Sequence, residues 1–271
     1  MKILVTGATG NIGRKVVDHL LALGARDVRA LTNDPGKAAL PEGVEVAEGY
    51  LRRTGTLPAA FEGVDRMYLA PTPDTVAEVL ALARTAGVRH VVDLSGEPES
   101  WWGGVTAAVE ASGLAWTHLW PGDFMENTTI WAKQISETGA VREPYPHATS
   151  APIAMTDIAA VAATALTAPI EEHAGRAHSL AGPEALSRTE QLRLLGDALG
   201  REIPFVRVST EEAVEALAPS MGEDARWYVG KVLALFAETP GAASTAVEDL
   251  TGRPATTFAQ WAAAHTGDFT G

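Results

Sequence analysis

The chain has 271 residues, of which 46% are hydrophobic and 20% charged, the composition of a folded globular protein. It carries 21 Lys and Arg against 34 Asp and Glu, a formal net charge of −13, so we exclude nucleic acid and membrane surfaces as partners because both require clustered cations. There is no cysteine, which excludes disulfides, thiolate nucleophiles and Cys-ligated metals. The N-terminal apolar run is too short for a signal peptide, and no stretch approaches the roughly 18 apolar residues of a membrane span, so we expect a cytoplasmic protein.

Short apolar strands alternate with helical patterns through residues 1–121. The helices show apolar residues at three- and four-residue spacing, and glycines follow their last turns. The predicted strands are Lys2–Thr6, Val28–Thr32, Val44–Ala47, Arg66–Ala70, His90–Ser95 and Ala115–Trp120, and the predicted helices are Asn11–Leu23, Thr75–Ala86 and Trp101–Ser112. This alternation predicts an α/β fold built from βαβ units with a parallel sheet.

The regular alternation weakens after Pro121. The sequence then predicts a late strand at Ala177–Leu180 and helices at Asp157–Ala168, Ser187–Leu199, Asp224–Ala237 and Thr257–His265, with another helix starting at Thr210. We therefore place a core in residues 1–121 and a mixed segment in residues 122–271. Of this segment, about 151–181 complete the core, and the rest forms a small, mostly helical lobe.

A glycine-rich segment joins the first predicted strand to the first helix. Its residues that we expect to meet a ligand are Gly7, Thr9, Gly10, Asn11, Ile12 and Gly13. The first glycine permits a tight turn, the second lets a pyrophosphate approach the backbone, and the third allows close helix–strand packing. The amides at the helix start then face the phosphates. The pattern predicts dinucleotide binding, and the alternative is a glycine-rich turn that serves packing alone.

These residues resemble the short-chain dehydrogenase/reductase superfamily, and further segments are similar to its NmrA-like, atypical branch. Those segments are Val28–Pro35, Gly87–Ser95, Ala111–Thr117, Pro121–Asn127, Met155–Ala162 and Leu250–Pro254. The resemblance covers nearly the whole chain. It implies a Rossmann fold with a doubly wound parallel sheet, an NAD(P) cofactor on the core and a small C-terminal substrate lobe. The branch contains both reductases and non-catalytic redox sensors, so the function stays open between them.

Several positions that contact the cofactor in this branch differ here. Asn33 stands where the branch commonly has an arginine for the adenosine 2′-phosphate, and Thr32 stands where an NAD-selecting carboxylate would lie. We predict that both side chains contact the cofactor by hydrogen bonds to a phosphate. Arg14 and Lys37 supply positive charge nearby, although Arg14 also fits a solvated position in the first helical turn. We expect NADPH to be preferred, with NADH as the alternative. The other predicted cofactor contacts are Tyr50 at the adenine, Ala70 and Pro71 near the nicotinamide ribose, and Pro121 and Gly122 along the nicotinamide.

The tyrosine–lysine pair that serves conventional members of the superfamily as proton donor is missing. No tyrosine has a lysine four residues later; the tyrosines are Tyr50, Tyr68, Tyr145 and Tyr228. Ser95 ends the fifth strand, where the superfamily's serine lies, and we predict that it hydrogen-bonds a substrate carbonyl; a strand-end cap is the alternative. His118 lies within a strand and is expected to be a packed side chain. No grouping of His, Asp and Glu has the spacing of metal ligands, so we expect no metal.

Large apolar side chains concentrate after the fifth strand. We predict that six of them line a flat-walled apolar pocket: Trp101, Trp102, Phe124, Met125, Trp131 and Tyr145. The alternative for these side chains is packing in the core. A pocket of this kind suits a large aromatic substrate.

Together these features predict an NADPH-dependent ketoreductase that transfers hydride to a large aromatic ketone of polyketide or quinone type. Within the family, the sequence most resembles reductases that tailor antibiotic polyketides such as angucyclinones. A substrate whose developing oxyanion is stabilised by conjugation offsets the missing acid. The alternatives are a non-catalytic NADP(H)-binding sensor of the NmrA type and a non-redox isomerase or epimerase. The sequence is compatible with a monomer or a homodimer.

Overall fold

The computed structural model describes residues 1–270. The strands are β1 Ile3–Val5, β2 Val28–Thr32, β3 Glu45–Glu48, β4 Arg66–Leu69, β5 His90–Leu94, β6 Ala115–Pro121, β7 Val141–Glu143, β8 Thr149–Ser150, β9 Arg176–Leu180, β10 Leu186–Ser187 and β11 Phe205–Arg207. The helices are α1 Gly13–Ala22, α2 Pro58–Phe61, α3 Val76–Thr85, α4 Gly103–Glu110, α5 Ala132–Thr138, α6 Met155–Thr167, α7 Ile170–His173, α8 Arg188–Leu199, α9 Thr210–Met221, α10 Asp224–Trp227, α11 Ala234–Glu238, α12 Ala246–Thr251 and α13 Phe258–Ala264. Short 3₁₀ segments cover Pro35–Lys37, Thr54–Thr56, Met125–Trp131 and Thr266–Phe269, and a π-helical segment spans Tyr228–Leu233.

One parallel sheet of seven strands dominates the described part of the chain. Its strand order is β3-β2-β1-β4-β5-β6-β9, and every neighbouring pair is parallel. All carboxyl ends therefore lie at one edge of the sheet. The order reverses direction between β1 and β4, which is the switch point where doubly wound sheets bind their ligands. The sheet confirms the predicted α/β, Rossmann-type fold.

Helices cover both faces of this sheet. On one face, Leu4, Met67 and Val91 belong to an apolar cluster that also contains side chains of α3 and α4. Neighbouring residues along each strand point to the other face, where α6 packs on β4, β5 and β6 and α1 packs on α6. Within residues 1–270, no helix has the length and apolarity needed to cross a membrane.

The described residues group into two compact units. The first unit comprises Met1–Pro121, Met155–Leu180 and Ala246–Arg253, and it contains the seven-stranded sheet. The second unit comprises Gly122–Ala154, Ala181–Thr245 and the residues from position 254 onward. In the first unit, Arg253 Nη2 lies 3.2 Å from Asp157 Oδ1, so an ion pair joins the late segment to α6.

The second unit contains two small sheets besides its helices. β8 pairs with β10 in the antiparallel sense, and β7 pairs with β11 in the parallel sense. The sequence does not predict these strands, because two or three residues carry no periodic signal. The capping box predicted at Ser187 is confirmed, and α9 and α13 begin with capping boxes at Ser209 and Thr257.

A fully buried ion pair lies in the second unit. Arg188 Nε and Nη2 donate to the two carboxylate oxygens of Glu143 at 2.9 and 2.8 Å. The indole N–H of Trp131 donates to Glu143 Oε1 at 2.6 Å, and the Arg188 guanidinium lies 4.2 Å from the Trp131 ring centroid. Burying both charges is tolerated only because bidentate pairing and additional hydrogen bonds replace water.

His90 at the start of β5 is a buried, neutral histidine. Its Nε2 lies 2.9 Å from Thr117 Oγ1, and that hydroxyl donates to the His173 carbonyl, so His90 Nε2 carries the proton. Its Nδ1 is buried and has no hydrogen-bond partner in the described chain. Burial, then the charges of Arg66 and His173, lower the pKa of His90 to about 4.

We expect acid to destabilise the protein partly through His90. The unfolded chain binds a proton near pH 6.5 and the folded chain only near the pKa of about 4, so stability falls as the pH decreases between these values. Between pH 6.5 and pH 5, His90 accounts for a loss of about 2 kcal/mol in the free energy of unfolding. Urea unfolding across this range should therefore show a shallower pH dependence for His90→Gln than for the wild type.

The exposed His147 provides the control, and His147→Gln should keep the wild-type pH dependence. Burial also lowers the pKa values of His173 and His178, so a residual dependence persists in His90→Gln. Equal slopes for His90→Gln and the wild type would contradict the assignment.

Candidate functional site

The turn between β1 and α1 is held by contacts that only glycine allows. Gly7 has φ of +59°, and a Cβ there would lie 2.9 Å from Ala70 Cβ. A Cβ on Gly13 would lie 2.2 Å from the Gly7 carbonyl oxygen, so α1 starts directly against the turn. Thr6 Oγ1 donates to the Tyr68 carbonyl at 2.9 Å and accepts from the Ala70 amide at 2.8 Å. The hydroxyl thereby ties the turn to β4.

The start of α1 is open to an anion. Thr9, Gly10 and Asn11 are exposed. Within the described chain, no side chain caps the helix by a hydrogen bond, and its first turn contains no acidic residue. The first amides of a helix lack intrahelical partners and carry partial positive charge. This geometry fits the pyrophosphate of a dinucleotide.

The other residues predicted to contact the cofactor follow neighbouring strands at the same sheet edge. Thr32 ends β2, Ala70 and Pro71 follow β4, and Tyr50 follows β3. Thr32 is buried and its Oγ1 accepts from the Asp34 amide at 3.2 Å, whereas Tyr50 is 40% exposed. The structure thus brings these residues to the carboxyl ends of β1 and its neighbours.

The charged residues near the end of β2 are paired. Asn33 is exposed, and Lys37 Nζ lies 2.9 Å from Asp34 Oδ2. Arg14 Nη1 donates to the carbonyl of Ala39 at 2.8 Å, and Ala39 has the positive φ of 44°. Lys37 therefore offsets the carboxylate that follows β2, and Arg14 connects α1 to the loop after that strand.

Ser95 follows β5 and meets a hydroxyl on α4. Thr106 Oγ1 lies 3.2 Å from Ser95 Oγ and 2.7 Å from the carbonyl oxygen of Gly96. The Ser95 amide donates to the Leu119 carbonyl at 3.1 Å, and the residue is buried. Sequence reasoning missed Thr106, although it is the one hydroxyl residue of α4, which contains neither tyrosine nor lysine.

The tryptophans of the first unit differ in exposure. Trp101 is 68% exposed, whereas Trp102 is partly buried and packs against the apolar cluster under α3 and α4. Trp101 is therefore mostly exposed to solvent, whereas Trp102 has a packing role.

The predicted pocket residues of the second unit also differ in exposure. Met125 and Trp131 are buried in its core, which corrects their assignment as pocket walls because neither side chain is open to a ligand. Phe124 is half-buried, and half-buried Tyr145 packs beside the cluster that contains Tyr228. Phe124 and Tyr145 therefore remain candidates for ligand contact.

The segment after β6 is held by a polar network in the second unit. Asp123 accepts from Asn127 Nδ2 at 2.9 Å and from Ser150 Oγ at 2.8 Å. Gln191 Nε2 donates to Ser150 Oγ at 3.2 Å, and its amide oxygen accepts from Arg188 at 3.1 Å. The network runs from Asp123 to the buried ion pair, so it fixes the course of the chain after exposed Gly122. Among residues 1–270, no group of three or more His, Asp or Glu is placed to hold a metal ion.

Comparison with known proteins places this geometry in a family. Residues 7–97 match the family model described as NAD(P)H-binding. The chain is 38% identical to an NAD(P)H azoreductase of Xenophilus azovorans, with 98% of this chain and 99% of the relative aligned. It is 37% identical, over 98% of this chain and 99% of the relative, to a (4-alkanoyl-5-oxo-2,5-dihydrofuran-3-yl)methyl phosphate reductase of Streptomyces griseus.

Solved structures share the fold. An NADPH-dependent quinone oxidoreductase of Escherichia coli, complexed with NADPH, superposes with a TM-score of 0.84 at 23% identity, covering 97% of this chain and 99% of that chain. A mutant of NmrA superposes with a TM-score of 0.78 at 18% identity, covering 99% of this chain and 96% of that chain. The chain belongs to the NAD(P)H-binding family. The cofactor of this protein is NAD(P)H.

We expect two glycines of the turn between β1 and α1 to respond differently to substitution. A Cβ at Gly10 would lie 3.2 Å from the Gly7 carbonyl oxygen, so small backbone shifts accommodate it. A Cβ at Gly13 would lie 2.2 Å from the same oxygen, and this clash is with a backbone atom that cannot rotate away as a flexible side chain can. Gly10→Val should fold but lose NADPH binding, because its side chain fills the space of the pyrophosphate. Gly13→Ala should lower the melting temperature. Calorimetry with NADPH and thermal unfolding measure the two effects.

Exposed Gly55, whose added Cβ has no atom within 4 Å, provides the matched control as Gly55→Ala. It should keep both NADPH affinity and stability. Unchanged NADPH affinity in folded Gly10→Val would refute the assignment of the turn to the cofactor.

We also expect a several-fold preference for NADPH over NADH that depends on Arg14 and Lys37. Each of these two cations should contribute about three- to tenfold in NADPH affinity, since charge-assisted contacts near the surface are weak. Arg14→Ala and Lys37→Ala should lower NADPH affinity and leave NADH affinity nearly unchanged. Asp34→Asn should raise the NADPH/NADH ratio, because it removes the carboxylate beside Lys37. Equal affinities of the wild type for both cofactors would overturn the assignment.

Proposed function

We propose that this protein is an NADPH-dependent reductase of a large, flat, conjugated aromatic ketone of polyketide or quinone type. The observation that carries the proposal is the composition of α4 opposite Ser95. The helix offers the Thr106 hydroxyl there and neither a tyrosine nor a lysine. The cofactor supplies the hydride when bound, and the protein orients the reactants and stabilises developing charge.

The missing acid restricts the substrates that the protein reduces. General acid catalysis is typically worth about 10²–10⁴-fold, so a ketone that develops a localised oxyanion reacts slowly without it. Conjugation spreads the developing charge over the substrate and lowers the demand for a proton. The hydroxyl of Ser95 then provides one hydrogen bond to the reacting oxygen, and this oxygen is protonated after the hydride transfer.

The names of the two aligned relatives support a conjugated acceptor. One is an azoreductase, and the other reduces an alkanoyl dihydrofuranone, whose ring double bond is conjugated with carbonyl groups. Both acceptors delocalise the charge that hydride transfer brings. The exposed aromatic ring of Trp101 is suited to contact a flat substrate of this kind.

A second function, NADP(H) binding without turnover, is favoured by the same composition of α4. A protein without a conventional acid can serve as a sensor of cofactor redox state, and the NmrA structures include one described as a negative transcriptional regulator. Such a protein binds NADPH and leaves it unoxidised with every acceptor.

Two acceptors of similar ring size distinguish these functions. We use 2-hydroxy-1,4-naphthoquinone as the conjugated acceptor and 1-tetralone as the isolated aryl ketone, and we measure NADPH oxidation over the rate without protein. The proposal expects acceleration with the naphthoquinone and little with 1-tetralone. Equal acceleration with 1-tetralone would contradict it, and NADPH binding without oxidation by any acceptor, an azo dye included, would establish the sensor.

The variant Ser95→Ala should lower kcat for the naphthoquinone about 10- to 100-fold, the effect of losing a hydrogen bond of roughly 1.4–2.7 kcal/mol. Tyr145→Phe and Tyr228→Phe are the controls and should retain kcat, because we assign no proton transfer to any tyrosine. A loss of more than about a thousandfold in either, with NADPH still bound, would reveal a conventional acid.

A further inference from the structure

A column of polar side chains crosses the apolar interface between α4 and the strands β5 and β6. Its members are Ser95, Thr106, Asp93, His118 and Glu110. The surrounding side chains of α4 and β5 belong to the apolar cluster of the first unit. Each polar group buried in such an interface costs free energy unless it is paired.

The inner part of the column is a fully buried histidine–aspartate pair. His118 Nδ1 lies 2.7 Å from Asp93 Oδ1, and both side chains are completely buried. Trp116 and Trp120 stack on the His118 ring, with centroids 4.2 and 5.8 Å away. The expectation that His118 is packed is met, but its ring is also oriented so that Nδ1 faces Asp93.

Each member of the pair keeps a second polar atom without a hydrogen-bond partner in residues 1–270. These atoms are Asp93 Oδ2 and His118 Nε2. His118 Nε2 lies 3.7 Å from Glu110 Oε1, and the Glu110 side chain is 52% exposed. The pair is therefore connected to solvent on one side through Glu110.

The other side of the pair leads toward Ser95. Asp93 and Ser95 are two residues apart along the extended chain, so their side chains lie on the same face. Thr106 and Glu110 are one helical turn apart on α4, and they contact Ser95 and His118 respectively. Helix and strands thus align five polar groups between solvent and the sheet edge.

We propose that Glu110, His118 and Asp93 conduct a proton from solvent to Ser95, and that Ser95 delivers it to the reduced substrate. The proposal rests on the reductase function proposed above, because reduction of a carbonyl by hydride leaves one proton to be added.

The transfer is balanced at every group. Protonated Glu110 gives a proton to His118 Nε2, and His118 gives its Nδ1 proton to the Asp93 carboxylate. Asp93 passes that proton to Ser95 as Ser95 gives its own hydroxyl proton to the product oxyanion, and solvent reprotonates Glu110. Exchange of the ring protons with solvent returns His118 to its starting tautomer before the next turnover. One proton enters from solvent and one leaves with the product.

Hydrogen exchange of the His118 ring tests this path without turnover. The chain has seven histidines, and the ring N–H signal of His118 in ¹⁵N-labelled protein is assigned by its loss in His118→Gln. Glu110→Gln changes a half-exposed side chain, so it should fold, and it should slow exchange of this proton by about tenfold. Exposed Glu62 provides the control, and Glu62→Gln should leave the rate unchanged. Equal rates in Glu110→Gln and the wild type would overturn the proposal.

Turnover of 2-hydroxy-1,4-naphthoquinone with NADPH in H₂O and D₂O gives the second readout. Glu110→Gln and Asp93→Asn should lower kcat about tenfold and raise the solvent isotope effect, with KM for NADPH unchanged. If Asp93→Asn lowers the melting temperature and neither variant alters the solvent isotope effect, the role of Asp93 is structural. That result would overturn the proton path. A wild type that leaves NADPH unoxidised contradicts the proposed function instead, and the exchange experiment then still decides the path.

Discussion

The backbone contact between Gly13 and Gly7 is the constraint on which the cofactor-binding edge of the sheet, at the carboxyl ends of its strands, depends. With no Cβ at Gly13, α1 starts against the carbonyl of Gly7, and its first amides are brought to the carboxyl end of β1. The Thr6 hydroxyl fixes the same turn to β4, the strand on the other side of the switch point, by two hydrogen bonds. In the described chain no side chain caps α1, because Ile12 stands at the N-cap and has no polar group, and the first amides are left for a phosphate.

An anionic cofactor must bind here against a net charge of −13. The long-range field opposes it, so attraction has to come from groups within a Debye length of about 8 Å at physiological ionic strength. The helix amides are such groups, and so are Arg14 and Lys37. The pairing of Lys37 with Asp34 reduces local repulsion, and the hydrogen bond from Arg14 to Ala39 holds the loop that carries both. Local arrangement thus outweighs global charge.

Contacts between residues that are close along the chain can be predicted from the sequence, whereas contacts between distant residues cannot. The turn at Gly7–Gly13 and the capping box at Ser187 involve residues within one or two helical turns, and the sequence predicts both. The pair of Arg188 with Glu143 joins residues 45 apart, and the sequence does not predict it because a charged residue in a capping-box pattern is usually solvated. The sequence also does not predict that Trp131 is buried, because only the fold brings its indole N–H to Glu143. The sites of the second unit therefore require the three-dimensional structure.

The start of α4 explains why a proton has to come from within the first unit's interface. A Cβ on Gly103 would lie 2.1 Å from the Pro98 carbonyl oxygen, so the helix begins in tight contact with the loop after β5 and has no room for a side chain there. One turn later, only the hydroxyl of Thr106 reaches Ser95. Stability does not account for the buried Asp93–His118 pair, because well-packed apolar side chains of similar volume are often as stable as buried ionisable pairs. The polar column that ends at Ser95 combines Glu110 of α4 with Asp93 and His118 of the strands, and it supplies the proton for which this helix has neither a tyrosine nor a lysine.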